Sequence, residues 1–458
     1  MKNNYKLTLL AFLIFNFSFS NVTLPNLFSD NMVLQRNTEL KIWGWANPKE
    51  EVKISPSWNN LQYKIVANSN AYWELLIPTP KEGGPFLITL KGYNEIVLKN
   101  ILIGEVWLCS GQSNMEMTPN WGILNADEEI KKASNSSIRF FTVQKTSSSA
   151  PQLNLSGNWQ ECTPESMKNS SAIAYFFAQH LQDDLKNVPI GLIVSAWGGT
   201  SAEVWIPENE ILKNQELLDA SNEIKPNEYC PVKIASTFNT MIYPIIDYKI
   251  AGVVWYQGES NVGSTIYDKT FATLINSWRK LWNEDLPFYF VQIAPYNDGF
   301  KHFGSVQIRD FQRQTLRLPN TSMVVTSDIS TTNDIHPKDK KSVGIRLANL
   351  ALTNLYKTNS NLVNGPLFKD FKILKNKVIV NFDYADGLYF KNKTTTQFEI
   401  AGKDSVYYSA KAIIKNNSIL LESDQVKSPV KVRFAWKIDA QSELFNKANL
   451  PASSFISE

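Results

Sequence analysis

Histidine and cysteine are scarce: the 458 residues hold three of each. Cys109, Cys162 and Cys230 form no C-x-x-C pair, and His180, His302 and His336 stand far apart. Zinc centres draw on Cys and His at clustered spacings, so no metal and no cofactor is expected. An odd cysteine count excludes a fully paired disulfide set and leaves at least one thiol free. Charge of one sign is also lacking. The net value is +3 and evenly spread, too mild for a nucleic-acid partner. Past residue 20 no apolar run is long enough to span a bilayer, so no membrane span is expected.

What is present describes a globular protein. Apolar residues make up 43% and charged residues 19%, and the length suits two or three domains. Aromatic residues are plentiful, with 13 Trp, 17 Tyr and 25 Phe. An apolar ring with a polar tip suits a sugar as well as a core. The start, MKNNYKLTLLAFLIFNFSFS, has Lys2 and Lys6, then an apolar run from Leu7 to Phe15, then small Ser18 and Ser20 before a cut at Asn21. This order predicts a signal peptide over residues 1–20 and an exported protein, periplasmic or extracellular. No Cys near the cut provides a lipid anchor.

Three textures follow. Residues 21–100 carry short alternating runs broken by Asn, Pro and Gly, as β-strands do. Residues 101–357 carry near-continuous apolar runs: ILIGEVWLC, IGLIVSAW, IAGVVWYQ, FYFVQIA and TSMVVTSD. Such runs fit parallel strands covered on both faces. Helical patterns lie between them. SAIAYFFAQHLQDDL and KSVGIRLANLALTNLY are two, and YDKTFATLINSWRKLW spaces Phe271, Leu274, Ile275, Trp278 and Leu281 on one face. The alternation predicts an α/β fold with a doubly wound parallel sheet, whose site lies beyond the carboxyl ends of the strands. Residues 358–458 return to β texture, either packed with the N-terminal β segment or standing alone.

Strand ends supply the chemistry. Ser113, in GQSN, follows the first core strand and needs a base to take its proton. His180 sits among Phe176, Phe177 and Leu181 as a helix residue, and His302 lies in a solvated loop. His336 lies in the loop after the last core strand, which opens at the same sheet edge as Ser113, and Pro337 holds it out of helical geometry. Asp334 stands two residues before it, within reach of the imidazole. The Gly198–Gly199 pair after IGLIVSAW offers backbone N–H groups, and Asn261 in WYQGESN offers an amide, to a developing oxyanion.

The blocks GQSNM, WGGTSAEVW, WYQGESN and NDIHP resemble, in this order, the sialate O-acetylesterase family of SGNH hydrolases. LPNLFSDNMVLQR…WGWA near the start and LPASSF near the end extend the resemblance over nearly the whole mature chain. It implies a flavodoxin-like three-layer αβα core with accessory β segments on both sides. It also implies a metal-independent serine esterase that removes O-acetyl groups from carbohydrates. Ser113 is then the nucleophile and His336 the general base; the Ser113 and Gly198 N–H groups and the Asn261 side chain form the oxyanion hole. One departure stands out: many SGNH enzymes place Asp three residues before the His, where this chain has Asn333. Asp334 is the expected third member, with Asp328, Glu259 or a backbone carbonyl as alternatives. Gln112, Gln257 and Glu259 are either substrate contacts or loop braces, and Glu203 and Trp205 are either scaffold or sugar contacts. Two other functions fit less closely: a deacetylase of xylan or another polysaccharide, and a non-catalytic carbohydrate-binding protein.

Overall fold

The continuous apolar runs become parallel strands because both of their faces are covered. In the computed structural model, which describes residues 21–457, seven strands form the core of the sheet. They are β1 (Glu95–Gly111), β2 (Asn135–Thr142), β3 (Trp159–Cys162), β4 (Ile190–Ala196), β5 (Gly252–Tyr256), β6 (Phe288–Val291) and β7 (Thr321–Val324). Their order is β7-β6-β5-β1-β4-β2-β3. All neighbours are parallel except β3, which runs antiparallel on β2. The expected signal peptide lies outside the described residues.

The order reverses at β1. The chain lays β4 on one side of it and β5 on the other, so the crevice beyond Gly111 is a topological switch point. Register brings the three strand ends level, because Ala196 and Tyr256 both pair with Gly111. The four-residue helix α1 (Ser113–Glu116) follows β1, and the four long helices are α2 (Ala172–Asp184), α3 (Tyr267–Trp282), α4 (Gly304–Thr315) and α5 (Lys340–Asn354), with helices of five to eight residues between.

Alternation along β1 sorts side chains to two faces. Trp107 and Cys109 join Phe177, Leu347 and Ala351 beneath α2 and α5. Val106 and Leu108 join Trp255, Phe271, Trp278 and Ile308 beneath α3 and α4. Each large apolar side chain buried this way contributes about 1.5–3 kcal/mol. Leu281, expected inward, is 37% exposed in the last turn of α3, where Trp282 is the buried residue instead. Strands β2 and β3 and helix α4 were not apparent from periodicity. All three cysteines are buried free thiols. Among the described residues no helix is long and apolar enough to cross a membrane.

The two flanking β segments attach separately. Residues such as Val33, Trp43, Ile54 and Ile88 share the apolar cluster under α3. β1 itself runs through position 100, pairing with Gly83–Lys91 at its start and with β4 and β5 at its end. The expected boundary at 100/101 therefore falls inside a strand. The C-terminal strands form their own core around Val380, Ile400, Phe434 and Phe455. That segment docks where buried Arg309 of α4 donates to the carbonyls of Ile438 (2.9 Å) and Lys437 (2.5 Å). Gln292, just past β6, donates to Ser453 at 2.7 Å.

Candidate active site

Chain reversal after β1 is tight. The N–H of Gln112 donates to the Tyr256 carbonyl (2.9 Å) and that of Trp197 to the Gly111 carbonyl (3.1 Å), so the strand ends stay zipped up to the turn. Gly111 has φ +139°, and a Cβ there would stand 2.1 Å from the Tyr256 carbonyl oxygen. Only glycine permits that approach. The turn sets Ser113 at the first position of α1, half-buried.

His336 comes from the loop between β7 and α5, and its Nε2 stands 2.9 Å from Ser113 Oγ. These residues are 223 apart in the chain. Asn114 ties the two loops together: its amide donates to the Ile335 carbonyl (3.0 Å) and to Glu259 Oε1 (2.6 Å), and its oxygen accepts from Lys340 Nζ (2.6 Å). Asn114 and Lys340 are both buried. Burial pulls the Lys340 ammonium down to about 7, against the pull of Glu259 and Asp334. Burial likewise raises the Glu259 carboxyl, and its Oε2 has no hydrogen-bond partner among the described residues. Burial lowers the His336 pKa, the Lys340 charge adds to this, and Asp334 and Glu116 oppose it. Exposed Trp121 meets the His336 ring edge-on, centroids 6.3 Å apart.

The other two histidines stand elsewhere. His180 Nε2 bonds Asn349 (2.9 Å) between α2 and α5, and His302 Nε2 bonds Asp298 (2.6 Å) in its loop.

Asp334 does not stand behind the imidazole. Its Oδ1 accepts the backbone N–H of His336 at 2.8 Å. A carboxylate two residues upstream closes a local Asx turn more readily than it reaches around to the ring. Asp334 therefore shapes the loop and acts on the ring only at a distance. Asp328 is held in a two-pronged ion pair with Arg346 (2.8 and 2.6 Å), and Glu259 faces Asn114. Among the described residues, no carboxylate forms an ion pair with His336, which leaves a Ser–His dyad.

Two of the three expected oxyanion donors are also engaged. The Gly198 N–H donates to Glu116 Oε2 at 2.7 Å, while the other Glu116 oxygen pairs with Lys145. A Cβ on Gly198 would lie 3.2 Å from Ser113 Cβ, so this residue does border the serine. Asn261 is different. Its amide nitrogen donates to both oxygens of Glu203 (3.0 and 2.9 Å) and its oxygen accepts from Ala202 N–H and Gln257. Glu203 is 2% exposed, and a buried carboxyl requires donors. Asn261 thus serves Glu203 rather than standing free. The Ser113 N–H, at the start of α1, lacks an acceptor within the helix.

Gln112 and Gln257 are braces. Gln112 Oε1 accepts the N–H groups of Gly258 and Ser260, both at 3.2 Å. Gln257 is fully buried and bonds Thr200, Asn261 and Tyr267. Trp205 is scaffold too, buried and donating to Thr200 (2.9 Å). Between the loops after β4 and β5 opens a cleft of about 610 Å³, lined in part by Gly199, Ser201, Lys225, Asn227 and Asn261.

Residues 103–353 match the family model for carbohydrate esterases described as sialic acid-specific acetylesterase. The chain belongs to this family. It is 30% identical to the sialate O-acetylesterases of Homo sapiens and Pongo abelii, over 93% of this chain and 91% of each relative. The crystal structure of a carbohydrate acetylesterase from Xanthomonas citri superposes with a TM-score of 0.87 at 31% identity, covering 95% of this chain and 99% of that one. As a member of the sialic acid-specific acetylesterase family, the chain is an enzyme that hydrolyses carbohydrate esters, and the non-catalytic binding protein is set aside. Sequence reading missed several residues that distinguish its site: Glu116 on Gly198, Asn114 as the clamp, Lys340 in the interior and Trp121 beside His336. Asn114 lies within the GQSN block itself and was the one with a signal to find. Lys340 reads as one more helix lysine.

Proposed function

We propose that this protein is an exported serine O-acetylesterase of SGNH type that acts on O-acetylated sialic acids. The observation that carries the mechanism is the 2.9 Å contact between Ser113 Oγ and His336 Nε2 at the switch point of the sheet. Ser113 Oγ attacks the acetyl carbonyl carbon while Nε2 takes its proton. The carbonyl oxygen becomes an oxyanion held by the Ser113 N–H and by the Gly198 N–H, which Glu116 must release. Glu116 already sets a carboxylate oxygen on that donor, which supports its suitability for an anion. The intermediate collapses, the sugar oxygen leaves, and His336 returns the proton to it. Water, deprotonated by the same imidazole, then hydrolyses the acetyl–serine ester to acetate. The buried Asn114–Lys340–Glu259 group holds the serine turn against the histidine loop.

Export is supported by the charged–apolar–small order of residues 1–20. The cleft offers a sugar carboxylate Lys225, an exposed ammonium that forms no ion pair among the described residues, and it also carries the exposed carboxylate of Glu223. The family and relatives point to sialic acids. Acetate release from O-acetylated N-acetylneuraminic acid is expected to proceed with higher kcat/KM than release from acetylated xylan. The reverse order would favour the polysaccharide deacetylase.

The base must be neutral to accept a proton, so kcat/KM falls as pH drops through the His336 pKa. Burial and Lys340 depress that pKa, so the acid limb on an aryl acetate is expected below the usual histidine value. Replacing Lys340 by Met removes the neighbouring cation and shifts the limb upward. An unmoved limb would mean that another group sets it.

A further inference from the structure

One aromatic cluster lies outside the catalytic site. The strand Glu39–Trp45 pairs antiparallel with Tyr72–Pro78, setting Trp45 opposite Tyr72. Both rings are half-buried, so each offers part of a face. Buried Trp43 lies beside them, held edge-on by Phe28 at 4.6 Å. With Tyr243 and Asp247 these residues enclose a pocket of about 480 Å³ on the seam between the N-terminal β segment and the chain entering β5. Tyr243 precedes β5 and Leu281, also on the rim, ends α3, so the pocket lies toward the amino ends of the strands. Ser113 lies beyond their carboxyl ends. The strand length alone, about 3.3 Å per residue, sets them roughly 15 Å apart.

The polar groups on the rim are fixed and have capacity left. Asn68 Oδ1 accepts the backbone N–H groups of Asn70 (2.9 Å) and Tyr72 (3.1 Å), which orients its amide nitrogen as a donor. Asn70 is exposed at the pocket edge. One oxygen of Asp247 accepts from Lys41 at 2.8 Å, leaving the other to accept from a ligand. Lys41 also faces Glu74 at 3.5 Å, so beside the pocket one cation stands against two carboxylates, and Asp247 is the charged residue on the rim itself.

We propose that this pocket is a second carbohydrate site, for a neutral pyranose, which anchors the enzyme on a glycan away from the acetyl group being cleaved. Aromatic faces pack the apolar C–H face of a sugar ring, amide N–H groups donate to its hydroxyl oxygens, and a carboxylate accepts from its hydroxyl protons. The carboxylate of Asp247 disfavours an anionic sugar here.

Calorimetric titration of the full chain, as its Ser113→Ala variant, with lactose, N,N′-diacetylchitobiose, cellotetraose and mannotriose tests the proposal. At least one sugar is expected to bind, and Trp45→Ala to weaken that binding tenfold or more. Trp45→Ala in the otherwise native chain is expected to turn over an aryl acetate within twofold of the parent, which verifies its fold. Asn70→Ala, at an exposed position, provides a milder variant with an expected weakening of at least threefold. Absence of binding by all four sugars overturns the proposal. So does binding that both substitutions leave unchanged, which would locate the sugar elsewhere on the protein.

Discussion

Ser113→Ala is expected to lower kcat on an acetylated sugar by on the order of 10⁴–10⁶-fold, the loss typical of removing a catalytic serine. KM should change only a few-fold, because the hydroxyl contacts the reacting carbon and little else of the substrate. The fold should be intact: Ser113 is half-buried and its hydroxyl's only protein partner among the described residues is His336. Labelling by a serine-directed organophosphate should vanish together with turnover. Retention of a tenth of the parent activity in a preparation free of contaminating esterase would remove Ser113 from the mechanism.

The second large effect concerns the residue that presents the serine. Gly111→Ala puts a methyl group 2.1 Å from the Tyr256 carbonyl oxygen and 2.7 Å from its carbon, at φ +139°. The obstacle is backbone of a buried parallel strand and cannot rotate aside. Strain and overpacking together are expected to cost about 3 kcal/mol or more. The apparent melting temperature should fall by about 5 °C or more. Activity should fall further than stability, because relief of the clash breaks the Gln112–Tyr256 bond and moves Ser113 away from His336. An unchanged melting curve with full activity would show that the strand ends are wider apart than described.

Much of the arrangement was legible in the sequence because burial leaves a periodic record. Both-face burial turns the core strands into continuous apolar runs, and the polar blocks that follow them mark the carboxyl ends. With only three histidines, a base for Ser113 had few candidates. The assignments that moved were all matters of hydrogen-bond partnership. Asp334 is near His336 in sequence, yet proximity is what commits its carboxylate to the local backbone. Asn261 lies on the expected loop, yet Glu203, 58 residues away, claims its amide. Gly198 borders the serine as expected, but its N–H is held by Glu116, which pattern reading passed over.

The sequence by itself determined that a parallel sheet with helices on both faces would form, and that Ser113 and His336 would project from the same edge. Alternation and run length depend on the burial of each residue, which is a local property written position by position. Only the tertiary structure decided that these two meet at 2.9 Å as a dyad, that Asn114 and Lys340 clamp them from within, and that Trp45, Tyr72 and Tyr243 share a second pocket. Those are contacts between segments tens to hundreds of residues apart. A hydrogen bond or a shared pocket turns on differences of less than an ångström in how such segments pack, and periodicity carries no record of that.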